Sequence, residues 1–170
     1  MSRLYYFASD DVLADQHNPH VKKLSVNQAL EMGININLEY FGDDFDKDQP
    51  GAILFCATEA EFGYPNIFTI NKDGFYNDIG TKKQFCMGLE WHYSDDTVEV
   101  ILQYIQKHLE TASEIEVWSV WLGNEGSSIS IKKNLCKLSE LTVDRLIEFY
   151  NDESDFQCLT VINSTGGNTE

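Results

Sequence analysis

The stretch EIEVWSVWLG, Glu114 to Gly123, holds two of the three tryptophans of this 170-residue chain. Side chains alternate between faces along a strand, so Val117, Ser119 and Trp121 share one side and Trp118, Val120 and Leu122 the other. Both sides are apolar. Such a strand needs cover on each face, which places it inside a layered fold, shielded by the remainder of the chain or by a second copy.

Outward from this strand the pattern is regular. Phe85, Met87, Leu89, Trp91 and Tyr93 line one face of a predicted strand, with Cys86, Gly88, Glu90 and His92 on the other. Ser94 is the predicted N-cap of a helix with Asp95, Asp96 and Glu99 near its positive end and Lys107 and His108 near its negative end. Val98, Ile101, Leu102, Ile105, Leu109 and Ala112 recur at three- and four-residue steps and give that helix one apolar stripe. Beyond the tryptophan strand, GNEGSS reads as a turn, and Ile129 and Ile131 alternate with serines in a short strand. Ser139 or Thr142 caps a second helix that buries Val143, Leu146, Ile147 and Tyr150. QCLTVIN is the last strand, and STGGNTE a frayed tail.

The order from 84 to 163 is therefore β-α-β-β-α-β, that of the ferredoxin-like unit, whose helices cover one face of an antiparallel sheet. In that unit the second strand lies at the sheet edge, yet here it is the most apolar. Either strands from the first half extend the sheet past it or the strand order differs, and the extension is the expectation. The first half reads as β-rich. Leu4 to Ala8 is strand-like, Ser25 and Gln28 form a capping box, and Gly33 ends the helix they open. Ile34, Ile36, Leu38 and Tyr40 alternate with polar residues as a strand, GDDFDKDQPG is a loop, AILFCAT a further strand, and NIFTINKDGFYNDIG a hairpin turning at Lys72-Asp73-Gly74. The expected fold class is α+β: a mostly antiparallel sheet with helices packed on one face, its C-terminal half in βαββαβ order and its N-terminal half extending or covering the sheet. A single compact domain over 1–170 is expected, with subregions 1–82 and 83–163 and a tail at 164–170. Both halves open with a strand and a helix, but no residue-level repeat relates them.

Charge is the outlier, with 28 acidic against 12 basic residues, a net −16. The excess runs through both halves, −7 over 1–82 and −9 over 83–170. Nucleic acid and anionic membranes are disfavoured as partners, because both are held by clustered Lys and Arg. A basic protein would instead be steered toward the chain. The cysteines, Cys56, Cys86, Cys136 and Cys158, are separated by 30, 50 and 22 positions. That spacing makes no zinc site, and three of the four fall in apolar, strand-like runs where thiols behave as small hydrophobes. With no signal-peptide pattern and no apolar run near the length of a membrane span, a cytoplasmic location is expected.

Candidate chemistry centres on EWHYSDD. Glu90 and His92 fall two apart on one strand face, the arrangement of an acid/base pair or of two metal ligands, against the plainer reading of polar residues on a less buried face. Asp44, Asp46 and Asp48 alternate as in a calcium loop, but Gln49 stands where the glycine turn is needed and Phe55 where the bidentate glutamate is needed. Asp73-Gly74 fails the same test, with Thr69 first and Gly80 last. No phosphate-loop pattern occurs. Cys86 and His92 share a strand face but lie about 20 Å apart, too far for a dyad. His17 and His20 flank Asn18-Pro19 in what reads as a solvated loop. No metal or cofactor is expected.

Three tryptophans, eight tyrosines and ten phenylalanines raise an interface reading, with Trp118 and Trp121 as its candidate residues and core packing as the alternative use. The leading expectation is a small acidic binding protein without catalysis, acting on a basic or mixed-charge protein partner. In bulk properties alone it resembles the small intracellular immunity proteins that neutralise bacterial toxins. One alternative is a small-molecule enzyme using Glu90 and His92. Another is a structural or oligomerisation module, a homodimer covering its own free sheet face.

Overall fold

The computed structural model describes residues 3–70, 80–121 and 130–163. In chain order their elements are β1 (Arg3–Ser9), β2 (Lys22–Leu24), α1 (Val26–Glu31), β3 (Ile53–Phe55), α2 (Glu59–Phe62), β4 (Asn66–Thr69), β5 (Phe85–Glu90), α3 (Asp95–His108), β6 (Glu114–Trp121), β7 (Lys132–Lys137), α4 (Val143–Asn151) and β8 (Phe156–Ile162). The chain divides into two compact units, residues 1–17 with 65–170, and Asn18–Tyr64. This division does not follow the 82/83 boundary read from the sequence.

The larger unit is α+β, built on a six-stranded mixed sheet in the order β4-β5-β1-β6-β8-β7. All pairs are antiparallel except β7 with β8, which is parallel. Along the chain the C-terminal half has the predicted β-α-β-β-α-β order, but its arrangement in space is not ferredoxin-like. The tryptophan strand β6 sits between β1 and β8, and β7 takes the edge. Both resolutions of the edge-strand conflict therefore operate together: β1 from the first half inserts beside β6, and the C-terminal strands adopt a different order.

Helices α3 and α4 cover one face of this sheet. Val98, Ile101 and Ile105 of α3 and Leu146 and Phe149 of α4 are buried against Phe7, Met87, Val117, Leu159 and their neighbours. The caps are those the sequence implied. Ser94 and Thr97 form a capping box, and the Thr142 hydroxyl, rather than Ser139, accepts the Arg145 N–H at 3.2 Å. Lys107 and His108 occupy the last turn of α3, where cations suit the helix dipole.

The opposite face carries a second, smaller cluster of Tyr6, Ala8, Cys86, Trp118, Val120 and Cys158. No described helix contributes to it. The Tyr6 and Trp118 rings stack with centroids 5.5 Å apart, and Ile70, Ile131 and Phe156 pack against the cluster. Chain passes close above. Gly80 has φ +97°, a conformation that calls for glycine, and a Cβ there would lie 2.8 Å from Ile131 Cδ1, the movable end of that side chain. Trp118 is completely buried, and its indole N–H donates to Glu116 Oε2 at 2.8 Å. The same oxygen accepts the Thr81 hydroxyl at 2.7 Å. Lys83 bridges Asp10 and Glu114 alongside. Burial alone would lower its ammonium pKa, but hydrogen bonds and charge from Asp10 and Glu114 outweigh it and raise the group above its ordinary value.

Edge strand β7 begins at Lys132, so Ile131 precedes it, and Ile129 lies outside the described residues. The predicted turns at Lys72-Asp73-Gly74 and GNEGSS and the tail from Ser164 lie outside them too. Predicted strand 85–93 stops at Glu90.

The smaller unit pairs β2 with β3 in a two-stranded sheet. Its helix α1 has the predicted capping box, with Ser25 Oγ accepting from Gln28 N–H at 3.1 Å and Gln28 Oε1 from Ser25 N–H at 2.8 Å. Gly33 follows at φ +76°. The strand expected over Ile34 to Tyr40 does not form. Asn37 Oδ1 accepts the Glu39 N–H at 3.0 Å and turns the chain into a short 3-10 helix, Leu38–Tyr40. A local side-chain acceptor thus wins over a period-two pattern that has no partner strand. The short helix α2 was not legible as one. Its N-cap Thr58 accepts from Glu61 N–H at 3.1 Å.

Glu116→Ala is expected to lower stability by about 1–3 kcal/mol, because it leaves a buried indole N–H without an acceptor. Glu116→Gln, which keeps an oxygen there, should cost less. Urea unfolding checks this, and equal midpoints for all three proteins would contradict it.

Candidate functional site

A groove of about 260 Å³ opens between α4 and the β8–β7 edge of the sheet. Its origin is geometric. Helix α4 packs over β8 but leaves the first residues of the edge strand uncovered, so Lys132 and Asn134 are exposed where Cys136 is buried. Phe149, Gln157 and Leu159 are the buried lining, and Arg145, Glu148 and Asp152 flank it from the helix side. Positions 145, 148, 149 and 152 follow the spacing of a single helix face.

Asp152, the residue that ends α4, is the node of this region. Its carbonyl oxygen accepts from Arg3 Nη2 at 2.5 Å and from Gln157 Nε2 at 2.9 Å. Its carboxylate accepts from Ser154 N–H at 2.9 Å and pairs with Lys132. The Lys132 hydrogen bond, seconded by Ser154, holds the Asp152 carboxyl down at about 2. Four elements are thereby joined at one residue. Arg3 also donates to the Tyr150 carbonyl at 2.9 Å and lies over the Trp121 ring at 5.1 Å. Beside it, Tyr5, Trp91, Tyr93 and Tyr150 form a run of edge-to-face and tilted contacts at 4.8–5.7 Å.

Gln157 is only 1% exposed. Its Nε2 is fixed by the Asp152 carbonyl, which settles the amide's orientation, since a carbonyl can only accept. The other end, Oε1, has no hydrogen-bond partner among the described residues.

The residues singled out in the sequence lie elsewhere. Glu90 ends β5 and is exposed, and His92 is exposed in the irregular segment that follows. The strand alternation that would set the two side by side stops at Glu90. The His92 carbonyl accepts from Thr97 Oγ1 at 2.8 Å. Neither residue lines the groove. Of the two tryptophans expected at an interface, Trp118 is enclosed in the second cluster and has no surface to offer a partner, and Trp121 is half-buried beneath Arg3. In the aspartate loop, Asp46 Oδ1 accepts the Asp48 N–H at 3.0 Å, and Asp48 Oδ1 accepts from Asn27 at 2.8 Å. These carboxylates brace a turn.

One pairing had no signal in the sequence. His108 Nε2 lies 3.0 Å from Ser9 Oγ, 99 positions away. Such a pair invites a nucleophile–base reading. Burial removes it: Ser9 is fully enclosed, and its hydroxyl donates to the Glu114 carbonyl at 3.2 Å while accepting the Asp11 N–H at 3.1 Å. The imidazole therefore donates through Nε2 and ties the end of α3 to the end of β1. Desolvation lowers the His108 pKa, with Asp11 opposing in part. Burial likewise pushes the Cys158 thiol to about 12, and Cys136 also upward.

Six of the nine exposed large apolar side chains among the described residues belong to the smaller unit: Leu30, Met32, Leu38, Tyr40, Leu54 and Phe62. The same segment has eight acidic and three basic residues, net −5. Comparison with protein-family models, with curated proteins and with solved structures finds no match.

A histidine whose pKa is lower folded than unfolded takes up its proton more readily in the unfolded chain, so it destabilises the fold as pH falls below about 6.5 and has no effect above that. His108→Gln should therefore flatten the pH dependence of stability between pH 7 and 5, measured by urea midpoints against the parent protein. An unchanged slope would contradict the burial argument. In thiol labelling of the native protein, Cys56 should react first, with Cys86, Cys136 and Cys158 protected until unfolding.

Proposed function

We propose that this is an acidic binding protein that acts by protein–protein contact, with the segment Asn18–Tyr64 presenting the contact surface to a basic or mixed-charge partner. The observation that carries the reading is the concentration of exposed apolar side chains in a segment that is itself acidic. Tyr40 is 85% exposed and Phe62 59% exposed, large rings of the kind that anchor interfaces when a partner buries them. Leu30, Met32, Leu38 and Tyr40 fall within eleven consecutive residues. Single exposed hydrophobes are ordinary, but a run of them ringed by carboxylates has the composition of an apolar anchor with a charged rim.

Charge supplies the partner's chemistry. Glu31, Glu39, Asp43, Asp44, Asp46 and Asp48 border the apolar run, so a basic surface would be drawn toward it and an acidic one turned away. Neutralising a basic toxin in the manner of an immunity protein is one use of such a surface. Four cysteines with no C-x-x-C pair and separations of 30, 50 and 22 positions suit a reducing compartment such as the cytoplasm. No helix among the described residues is long and apolar enough to cross a membrane.

The test is binding kinetics with basic proteins, first those encoded beside this chain. A cognate partner should associate at least about tenfold more slowly at high than at low salt. Tyr40→Ser with Phe62→Ser should speed its dissociation and leave the salt dependence intact. Association indifferent to salt, or dissociation unchanged in the double variant, would defeat the proposal.

A further inference from the structure

The geometry points to a second binding site, independent of that surface: we infer that the groove between α4 and the β7–β8 edge takes a free α-amino acid with an apolar side chain. The inference begins with two charges that do not meet. Arg145 and Glu148 stand three residues apart on α4, both line the groove, and opposite charges at that spacing ordinarily pair. Here they do not. Arg145 makes only a long approach to Glu140, at 3.7 Å, and Glu148 has no ion pair among the described residues. The other two charges of the groove, Lys132 and Asp152, already satisfy one another.

What is left over is one carboxylate and, about a helical turn away, a guanidinium held only by its 3.7 Å contact with Glu140, on a groove whose four charges sum to zero. A simple anion would meet Glu148 and Asp152, and a simple cation would meet Arg145 and Lys132. A zwitterion answers both, its carboxylate on Arg145 in the two-point geometry guanidinium favours and its ammonium on Glu148. The buried wall adds a second observation. Gln157 Oε1 is an acceptor without a donor among the described residues, set in a residue 1% exposed that lines the groove. An ammonium has three N–H groups, enough for Glu148 and, once the enclosed Oε1 turns toward the groove, for Gln157 as well. Phe149 and Leu159, both buried, form the apolar floor of the groove against which a side chain would lie.

The experiment is calorimetric titration of the full chain with leucine, glycine, N-acetyl-leucine and leucinamide. Leucine should bind saturably and more tightly than glycine. Each blocked derivative, lacking one charge, should bind about tenfold more weakly or worse. Arg145→Gln should weaken leucine and leave leucinamide as it was, while Glu148→Gln should weaken leucine and leave N-acetyl-leucine as it was. Both side chains are solvent-facing, and unchanged unfolding midpoints confirm that the variants are folded. Saturation by no amino acid, equal affinity for the blocked forms, or leucine binding that ignores both variants would overturn the inference. Partner binding through Asn18–Tyr64 stands or falls separately, since none of these residues belongs to that segment.

Discussion

The burial of Trp118 is the constraint around which the larger unit is organised. An indole enclosed on the sheet face opposite α3 and α4 needs something flat beside it, something small around it and an acceptor for its N–H. Tyr6 on the neighbouring strand supplies the first, stacked nearly parallel. Ala8, Cys86 and Cys158 supply the second, each presenting little bulk on that face. Glu116, two residues back on the same strand, supplies the third, and its carboxylate in turn holds Thr81. These requirements place β1 directly beside β6, and that placement excludes a ferredoxin-like sheet.

Much of this could be read from the chain. The α3 stripe, the Ser94 and Ser25 caps and the two-faced character of β6 follow from periodicities of 3.6 and 2 that survive in a single sequence. Strand order does not, because Tyr6 meets Trp118 across 112 positions and no local pattern records the pairing. Residues Ile34 to Tyr40 show how a period can mislead: the alternation is present, but Asn37 offers the backbone a nearer acceptor and no strand lies alongside. Parallel β7 is hard to read for the opposite reason. Its sequence, KKNLCK, lacks strand-like alternation, since an edge strand guarded by lysines has only one residue, Cys136, to bury.

The candidate sites were less legible still. Glu90 and His92 drew notice as neighbouring titratable residues, yet the strand that would align them ends too soon. The groove depends on Lys132, Arg145, Glu148 and Gln157, which come from three elements and become neighbours only after β7 and β8 pair in parallel beneath α4. The surface proposed for a partner was half visible: its acidity was plain, but which aromatics would face outward was not. Trp118 went inside and Tyr40 outside because one lies in a central strand and the other in a short 3-10 helix.

The central position of β1 also has a consequence for how the molecule comes into being. Its seven residues include Leu4, Tyr5, Tyr6 and Phe7, yet its partners are β5, beginning 76 positions beyond its end, and β6 beyond that. During synthesis this greasy segment would wait, edges bare, until β5 and β6 are made, a state prone to mispairing with other nascent strands. Residues 10–84 carry 13 acidic and 6 basic side chains, net −7, and like charge of that size opposes the approach of one half-finished copy to another.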